Sequence, residues 1–274
     1  MATCYRHPSR ETGVSCSNCG RPICPDCMTT TPVGMRCPEC AKQRTRVVRL
    51  RNTTTVPRVT YALIAINVVA FLTEQGQFTL AGSEIHGPVI DEGVLYRAAL
   101  AHGYDQYWRL LTSGFLHESF LHIGLNMYLL YLLGMMLEPA IGSLRFGVIY
   151  FTALLVGSFG VVFATSSPSL GASGAIFGLM GAAVVELRAR GISVQQSGIG
   201  GLIVINLVFS FLVPNISIGA HIGGLIGGFI AGYAIHAADE RRLSWLGIAA
   251  CVLIAAAAVF GAIAVSGATG SGFA

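Results

Sequence analysis

Residues 216–236 read ISIGAHIGGLIGGFIAGYAIH, a stretch with no Asp, Glu, Lys or Arg and with two histidines, His221 a few positions from its start and His236 at its end. About 20 such residues are enough for a helix to cross roughly 30 Å of hydrocarbon. Within the stretch Ala220, Gly224, Gly228 and Gly232 recur every fourth position, so a helix lines them up as one ridge of small residues. Ridges of this kind let a second backbone approach closely. A second ridge, Gly174, Gly178 and Ala182, runs through another apolar stretch. If the two face each other, Ser173 and His221, each one residue from a ridge member, come within reach. The fold implied is a bundle of membrane helices packed through glycine.

Working outward, apolar stretches run from about Val59 to Thr73, Leu116 to Leu137, Phe146 to Thr165, Gly171 to Leu187, Ile199 to Val213, Ile216 to His236 and Leu243 to Val265. Seven helices are expected, the first and fifth short. The whole chain agrees: 274 residues with 34 glycines, a mean hydropathy of +0.66 and 11% charged residues, against about a quarter in soluble domains. Thirteen of the thirty Asp, Glu, Lys and Arg fall in residues 1–58. The expected class is therefore all-α, a polytopic bundle of six plus one helices behind a small soluble N-terminal domain.

Basic residues set the orientation. With the N-terminus in the cytosol, Lys42, Arg44, Arg46, Arg49, Arg51 and Arg58 precede the first span, Arg145 follows the second, Arg188 and Arg190 the fourth, and Arg241 and Arg242 the sixth. All lie inside. Arg97 and Arg109 fall outside, in a long first loop that also carries Glu84, Asp91, Glu92 and Asp105. The C-terminus is then outside, and the first span reads as an uncleaved signal anchor. A nucleic-acid partner is excluded, because the basic residues flank apolar spans instead of interleaving with aromatics on one domain. A bacterial plasma membrane is the expected location.

Seven of the eight cysteines lie in the first forty residues, as Cys4-x-x-His7, Cys16-x-x-Cys19, Cys24-x-x-Cys27 and Cys37-x-x-Cys40. Such pairs place two ligands about 2.3 Å from a tetrahedral zinc, and four pairs fill two sites. A disulfide framework would need an oxidising compartment, whereas the basic residues put this segment in reducing cytosol. Its apolar residues are few (Val14, Ile23, Met28, Val33 and Met35 among them), so metal binding must supply much of the folding free energy. The spacing resembles cross-brace fingers of the B-box kind. That resemblance implies Cys4, His7, Cys24 and Cys27 on one ion and Cys16, Cys19, Cys37 and Cys40 on the other, with sequential pairing as the alternative. Residues 1–42 are the expected zinc domain with two structural zinc ions, 43–57 a basic linker able to lie on anionic headgroups, 58–237 the six-helix core, and 238–274 the seventh helix and tail. The zinc domain is expected to contact a cytosolic protein.

Polar residues inside spans are costly and are candidate sites. His122 and Asn126, four apart, share one face near the outer end of the second span. Ser173 opens the fourth span, and His221 lies near the outer end of the sixth. A serine hydroxyl becomes a nucleophile when a positioned base takes its proton, and the intermediate then needs donors aimed at its oxyanion. His221 answers the first need. The Asn126 amide, the His122 ring N–H and the Ser173 backbone N–H answer the second. No carboxylate lies at this depth in the fourth or sixth span, so a dyad is expected, with His221 oriented by packing. Phe177, one turn below Ser173, is placed to stack on the imidazole.

These residues resemble the rhomboid intramembrane serine proteases. The matches are Trp108-Arg109, the His117-x-x-x-x-His122-x-x-x-Asn126 run, Glu138, Gly171-x-Ser173-Gly174 and Ala220-His221-x-x-Gly224-x-x-x-Gly228, across about residues 58–237. The resemblance implies a serine endopeptidase, needing no cofactor for catalysis, that cleaves transmembrane substrates near the outer face. It implies Ser173 as nucleophile, His221 as general base and His122 with Asn126 lining the oxyanion hole. A first loop embedded through Trp108 and Arg109, and a mobile fifth helix admitting substrate, are implied as well. Phe177 departs from the family, where some members carry Tyr; stacking survives and the hydroxyl does not. The zinc domain is outside the family's core.

Taken alone, Ser173 reads as a packing residue and His221 as a hydrogen-bonded core residue; the ordered set on separate helices turns that reading. His117 is expected at the membrane–water interface, positioning the loop. Glu138 and Arg145 bracket the turn between the second and third spans and hold it. His86, His102 and His236 are expected to be solvated, and Cys251 to pack as a small apolar residue. Two rivals remain. A catalytically silent rhomboid-like adaptor would not need Ser173 and His221, and a transporter would need midplane polar residues and broken helices, which this chain does not present.

Overall fold

The computed structural model describes residues 2–32, 34–42, 56–73, 87–101, 104–165, 167–213 and 216–270. Val33, Arg44, Arg46, Arg49, Arg51, Glu84, His86 and His102 lie outside the described residues, as does most of the expected linker. The chain divides into two compact units, Met1–Thr53 and Thr54–Ala274.

The N-terminal unit pairs β1 (Ala2–Thr3) with β2 (Glu11–Thr12) and β3 (Thr29–Thr31) with β4 (Gly34–Arg36), both antiparallel, and ends in α1 (Pro38–Lys42). Its interior is Ile23 together with Cys4, Cys16, Cys24, Cys27, Cys37 and Cys40. One aliphatic side chain in a core of thiols is too little apolar surface to hold a fold of this size.

The second unit is helical. It begins with α2 (Arg58–Thr73), passes through the short α3 (Pro88–Gly93) and α4 (Arg109–Thr112), and continues as α5 (Phe120–Ile141), α6 (Ser143–Ala164), α7 (Ser173–Ala189), α8 (Ile199–Leu212), α9 (Ile218–Glu240) and α10 (Ser244–Gly270). A helix stands at each of the seven expected spans. Four of them, α5, α6, α9 and α10, are long and apolar enough to cross a membrane, whereas α2 and α8 are shorter apolar helices. The second span starts later than Leu116, because the Ser119 hydroxyl caps it by accepting from the His122 N–H at 3.2 Å. Ser217 caps α9 in the same way. Gly142, with φ of +89°, reverses the chain directly from α5 into α6.

Helix α7 is the centre, buried along most of its length and packed against α5, α6, α8 and α9. The two small-residue ridges meet as expected. A Cβ on Gly178 would lie 2.9 Å from the Gly224 carbonyl oxygen, and one on Gly174 would lie 3.2 Å from that of Ala220. A second ridge on α9 meets α6: a Cβ on Gly223 would lie 2.8 Å from the Val156 carbonyl oxygen and 3.3 Å from the Gly157 Cα. Two neighbours therefore close on α9 at backbone distance.

Glu138 and Arg145 both hold the α5–α6 turn, and each also reaches a further helix. Glu138, fully buried, accepts from the Val59 N–H (3.0 Å), the Thr60 N–H (2.8 Å), the Thr60 hydroxyl (2.7 Å) and the Ser143 hydroxyl (2.6 Å). The carboxylate thus caps α2, whose first N–H groups have no partner within the helix, as well as spanning the α5–α6 turn. Arg145 donates across the same turn to the Ile141 carbonyl at 3.3 Å and also pairs with Asp239 of α9 at 2.8 Å, and Asp239 accepts from Ser244 at the start of α10.

Candidate active site

Helices α5, α7 and α9 all begin at one end of the bundle, and the polar side chains sit in their first turns. His221 Nε2 lies 2.7 Å from Ser173 Oγ. The imidazole stacks on the Phe177 ring with centroids 4.2 Å apart and planes 20° off parallel. Packing was expected to orient His221 by itself. Instead Nδ1 also has a partner, Ser210 Oγ of α8, at 2.6 Å. Ser210 was missed because it is one hydroxyl in an apolar helix, and only the packing of α8 on α9 brings it to the histidine.

The segment leading into Ser173 is clamped. Leu95 and Ser169 exchange two backbone hydrogen bonds (3.0 and 2.8 Å), and the Gly171 N–H donates to the Ser113 carbonyl at 2.8 Å. Gly171 has φ of +118°, and a Cβ there would lie 2.7 Å from His122 Nε2 and 3.8 Å from Ser173 Oγ. His122 therefore reaches the nucleophile's edge of the site. Asn126, buried one turn further along, donates its amide to the His122 carbonyl at 3.1 Å. Ala172 caps α7 without a side-chain acceptor, leaving the N–H groups of the first turn open beside Ser173.

His117 departs from expectation. It precedes α5, is fully buried, and packs edge-to-face on His122 with centroids 5.0 Å apart. The first loop folds around Arg109, which is buried and donates to the Asp91 and Val94 carbonyls (2.8 Å each) and to Gln106 (2.6 Å), with its guanidinium over Tyr96. Trp108, half exposed, donates to the Glu92 carbonyl. Arg97 adds bonds to the Val162 and Phe163 carbonyls at the end of α6. Cys251 is buried against Ala231, as a packing residue should be, and His236 lies 3.6 Å from Glu240.

In the N-terminal unit, Cys4, His7, Cys24 and Cys27 gather in one group and Cys16, Cys19, Cys37 and Cys40 in another, each able to hold a metal ion. His7 Nδ1 is 3.8, 3.3 and 3.5 Å from the sulfurs of Cys4, Cys24 and Cys27, and the Cys19 and Cys37 sulfurs are 3.8 Å apart. Tetrahedral bonds of about 2.3 Å set sulfurs about 3.8 Å apart, whereas a disulfide needs about 2.05 Å. The Cys37 N–H donates to Cys16 and holds its thiol down at about 6, while burial beside other thiols pushes Cys27 up to about 11. A cation in each group would favour the thiolate form of its cysteines.

Comparison with known proteins bears on the helical unit. Residues 104–238 match the family model described as Rhomboid domain. The chain is 36% identical over 170 residues to Rhomboid protease GluP of Bacillus subtilis, covering 61% of this chain and 32% of that protein. It is 38% identical over 106 residues to Inactive RHOMBOID-like protein 8 of Arabidopsis thaliana (38% and 30%), and 33% identical over 113 residues to human Rhomboid-related protein 3 (41% and 27%). The chain spans about a third of the length of these relatives.

Proposed function

The chain belongs to the rhomboid family, and from that premise we propose that it is an intramembrane serine endopeptidase that cleaves transmembrane protein substrates through Ser173 and His221. The observation carrying this reading is the 2.7 Å contact between Ser173 Oγ and His221 Nε2 on a ring held flat against Phe177. His221 takes the hydroxyl proton as the oxygen attacks the scissile carbonyl, then returns it to the leaving amine. Water repeats the cycle on the acyl ester. The developing oxyanion is met by the open N–H groups at the start of α7 and by His122, with Asn126 behind it. Gly171 and Gly174 keep backbone and imidazole in contact range around the serine. An unwound substrate segment needs a protein-lined, wet cavity for its backbone polar groups.

The distribution of Lys and Arg supports an N-terminus in the cytosol, a catalytic end near the outer face and a C-terminus outside. Similarity to a Bacillus subtilis protease supports a bacterial plasma membrane. The ligand chemistry of the two N-terminal groups fits zinc, four ligands per ion and mostly thiolate. These ions would hold the unit together and take no part in peptide cleavage, leaving its surface free for a cytosolic protein.

The test is a fluorophosphonate probe on the purified protein in detergent, with the labelled peptide mapped. Labelling at Ser173 that vanishes in Ser173→Ala and His221→Ala supports the protease. Absence of labelling in folded protein overturns it and favours the silent adaptor, a reading to which the relative named as inactive lends weight.

A further inference from the structure

We propose that Ser210 is a positioning residue that fixes the tautomer of His221, so that the catalytic unit is Ser173–His221–Ser210 and not a dyad. This rests on the protease reading of the same site. Ser210 is in the last turn of α8, a helix that buries only Ile199 and Ser210 among its residues. Its Oγ lies 2.6 Å from His221 Nδ1 and 2.7 Å from the Asn206 carbonyl oxygen one turn earlier. A serine hydroxyl has one proton to give, and a carbonyl oxygen can only accept. The proton therefore goes to Asn206, and Ser210 Oγ accepts from Nδ1–H.

That direction decides what Nε2 can do. With the proton on Nδ1, Nε2 presents a lone pair to Ser173, which donates to it across 2.7 Å. With the hydroxyl turned the other way, Nε2 would carry the proton and could not act as a base. In the forward step the Ser173 O–H bond breaks, its proton goes to Nε2, the oxygen pair bonds the substrate carbonyl carbon, and the carbonyl π pair moves to oxygen. The imidazolium then holds Nδ1–H on Ser210 until the amide C–N bond breaks and the Nε2 proton passes to the amine. A neutral hydroxyl stabilises that cation less than a carboxylate would, so its loss should slow the base about tenfold, the rate equivalent of one neutral hydrogen bond.

The experiment measures fluorophosphonate labelling of Ser173 at saturating and limiting probe for wild type, Ser210→Ala and Ser210→Thr, with the ¹⁵N resonances of His221 recorded in wild type and identified by their loss in His221→Gln. The expected result is an about tenfold lower maximal rate in S210A at unchanged probe affinity, recovery in S210T, and a proton on Nδ1 in wild type. Wild-type labelling in folded S210A, or a proton on Nε2 of wild-type His221, overturns the proposal. If S210A does not fold, S210T and the wild-type resonances decide. If wild type does not label at all, the protease reading fails, and the ¹⁵N resonances still report the Ser210–His221 bond separately.

Discussion

His221 is sandwiched by contacts of different kinds: its face lies on Phe177, 4.2 Å between centroids, while its two nitrogens reach serines on two other helices. The stack sets the plane in which the hydrogen bonds can form. Replacing Phe177 with Leu keeps most of the volume and removes the flat surface. We expect F177L to lower the rate of Ser173 labelling about tenfold, in line with the worth of an aromatic stack, and F177Y to leave it near wild type. Equal rates in F177L and wild type would show that the surrounding helices orient the ring without Phe177.

Glu138 and Thr60 are separated by 78 residues and joined by two hydrogen bonds. Removing the carboxylate strands the Val59 and Thr60 N–H groups and two hydroxyls in a buried site, at about 1–3 kcal/mol for each unsatisfied group. Glu138→Ala should therefore destabilise the helical unit by about 3 kcal/mol or more. Glu138→Gln should recover only part of this, since its amide turns donors toward donors. Thermal unfolding in detergent measures both, and an unchanged midpoint in E138A would mean that the start of α2 is held by other contacts.

The two metal groups interleave along the chain, which makes their pairing readable by counting ions. Cys4 and Cys24 belong to one group. A Cys4→Ser, Cys24→Ser double variant of the full chain should retain one tightly held zinc of two, as read by elemental analysis, because the Cys16, Cys19, Cys37 and Cys40 group is untouched. Sequential pairing would damage both sites and leave none. Treatment of wild type with a strong chelator should make residues 1–42 protease-sensitive, since among the described residues the buried hydrophobic cluster is Ile23 and six cysteines.

Much of this arrangement could be read in advance, for reasons that differ by feature. The spans were legible because hydrocarbon demands length and apolarity together, and the Ser173–His221 meeting was legible because Gly174 and Ala220 lock the register of two helices. What escaped depends on contacts between distant residues. Nothing local marks Thr60 as a partner of Glu138, or Ser210 as a partner of His221. The start of α5 lies past Leu116 because the polar His117, Glu118 and Ser119 separate the apolar Phe115 and Leu116 from Phe120, and Ser119 caps the helix there; His117, just before the cap, is buried. The Gly219, Gly223 and Gly227 ridge has the same four-residue spacing as the first, and only the packing shows that it faces α6.

Gly171 separates backbone strain from contact at the site. Its φ of +118° disfavours any side chain, and a Cβ would also press on His122 Nε2 at 2.7 Å. Gly191, after α7, has a comparable φ of +70° and nothing within 4 Å of the same hypothetical atom. Both Gly→Ala changes should cost about 1–2 kcal/mol of backbone strain. Gly171→Ala alone should displace the imidazole and the clamped residues before Ser173, lowering labelling at least about a hundredfold, as a misplacement of about 1 Å does. Gly191→Ala should label like wild type at a slightly lower unfolding midpoint. Equal labelling in the two variants would mean that His122 yields freely, and would remove it from the oxyanion site.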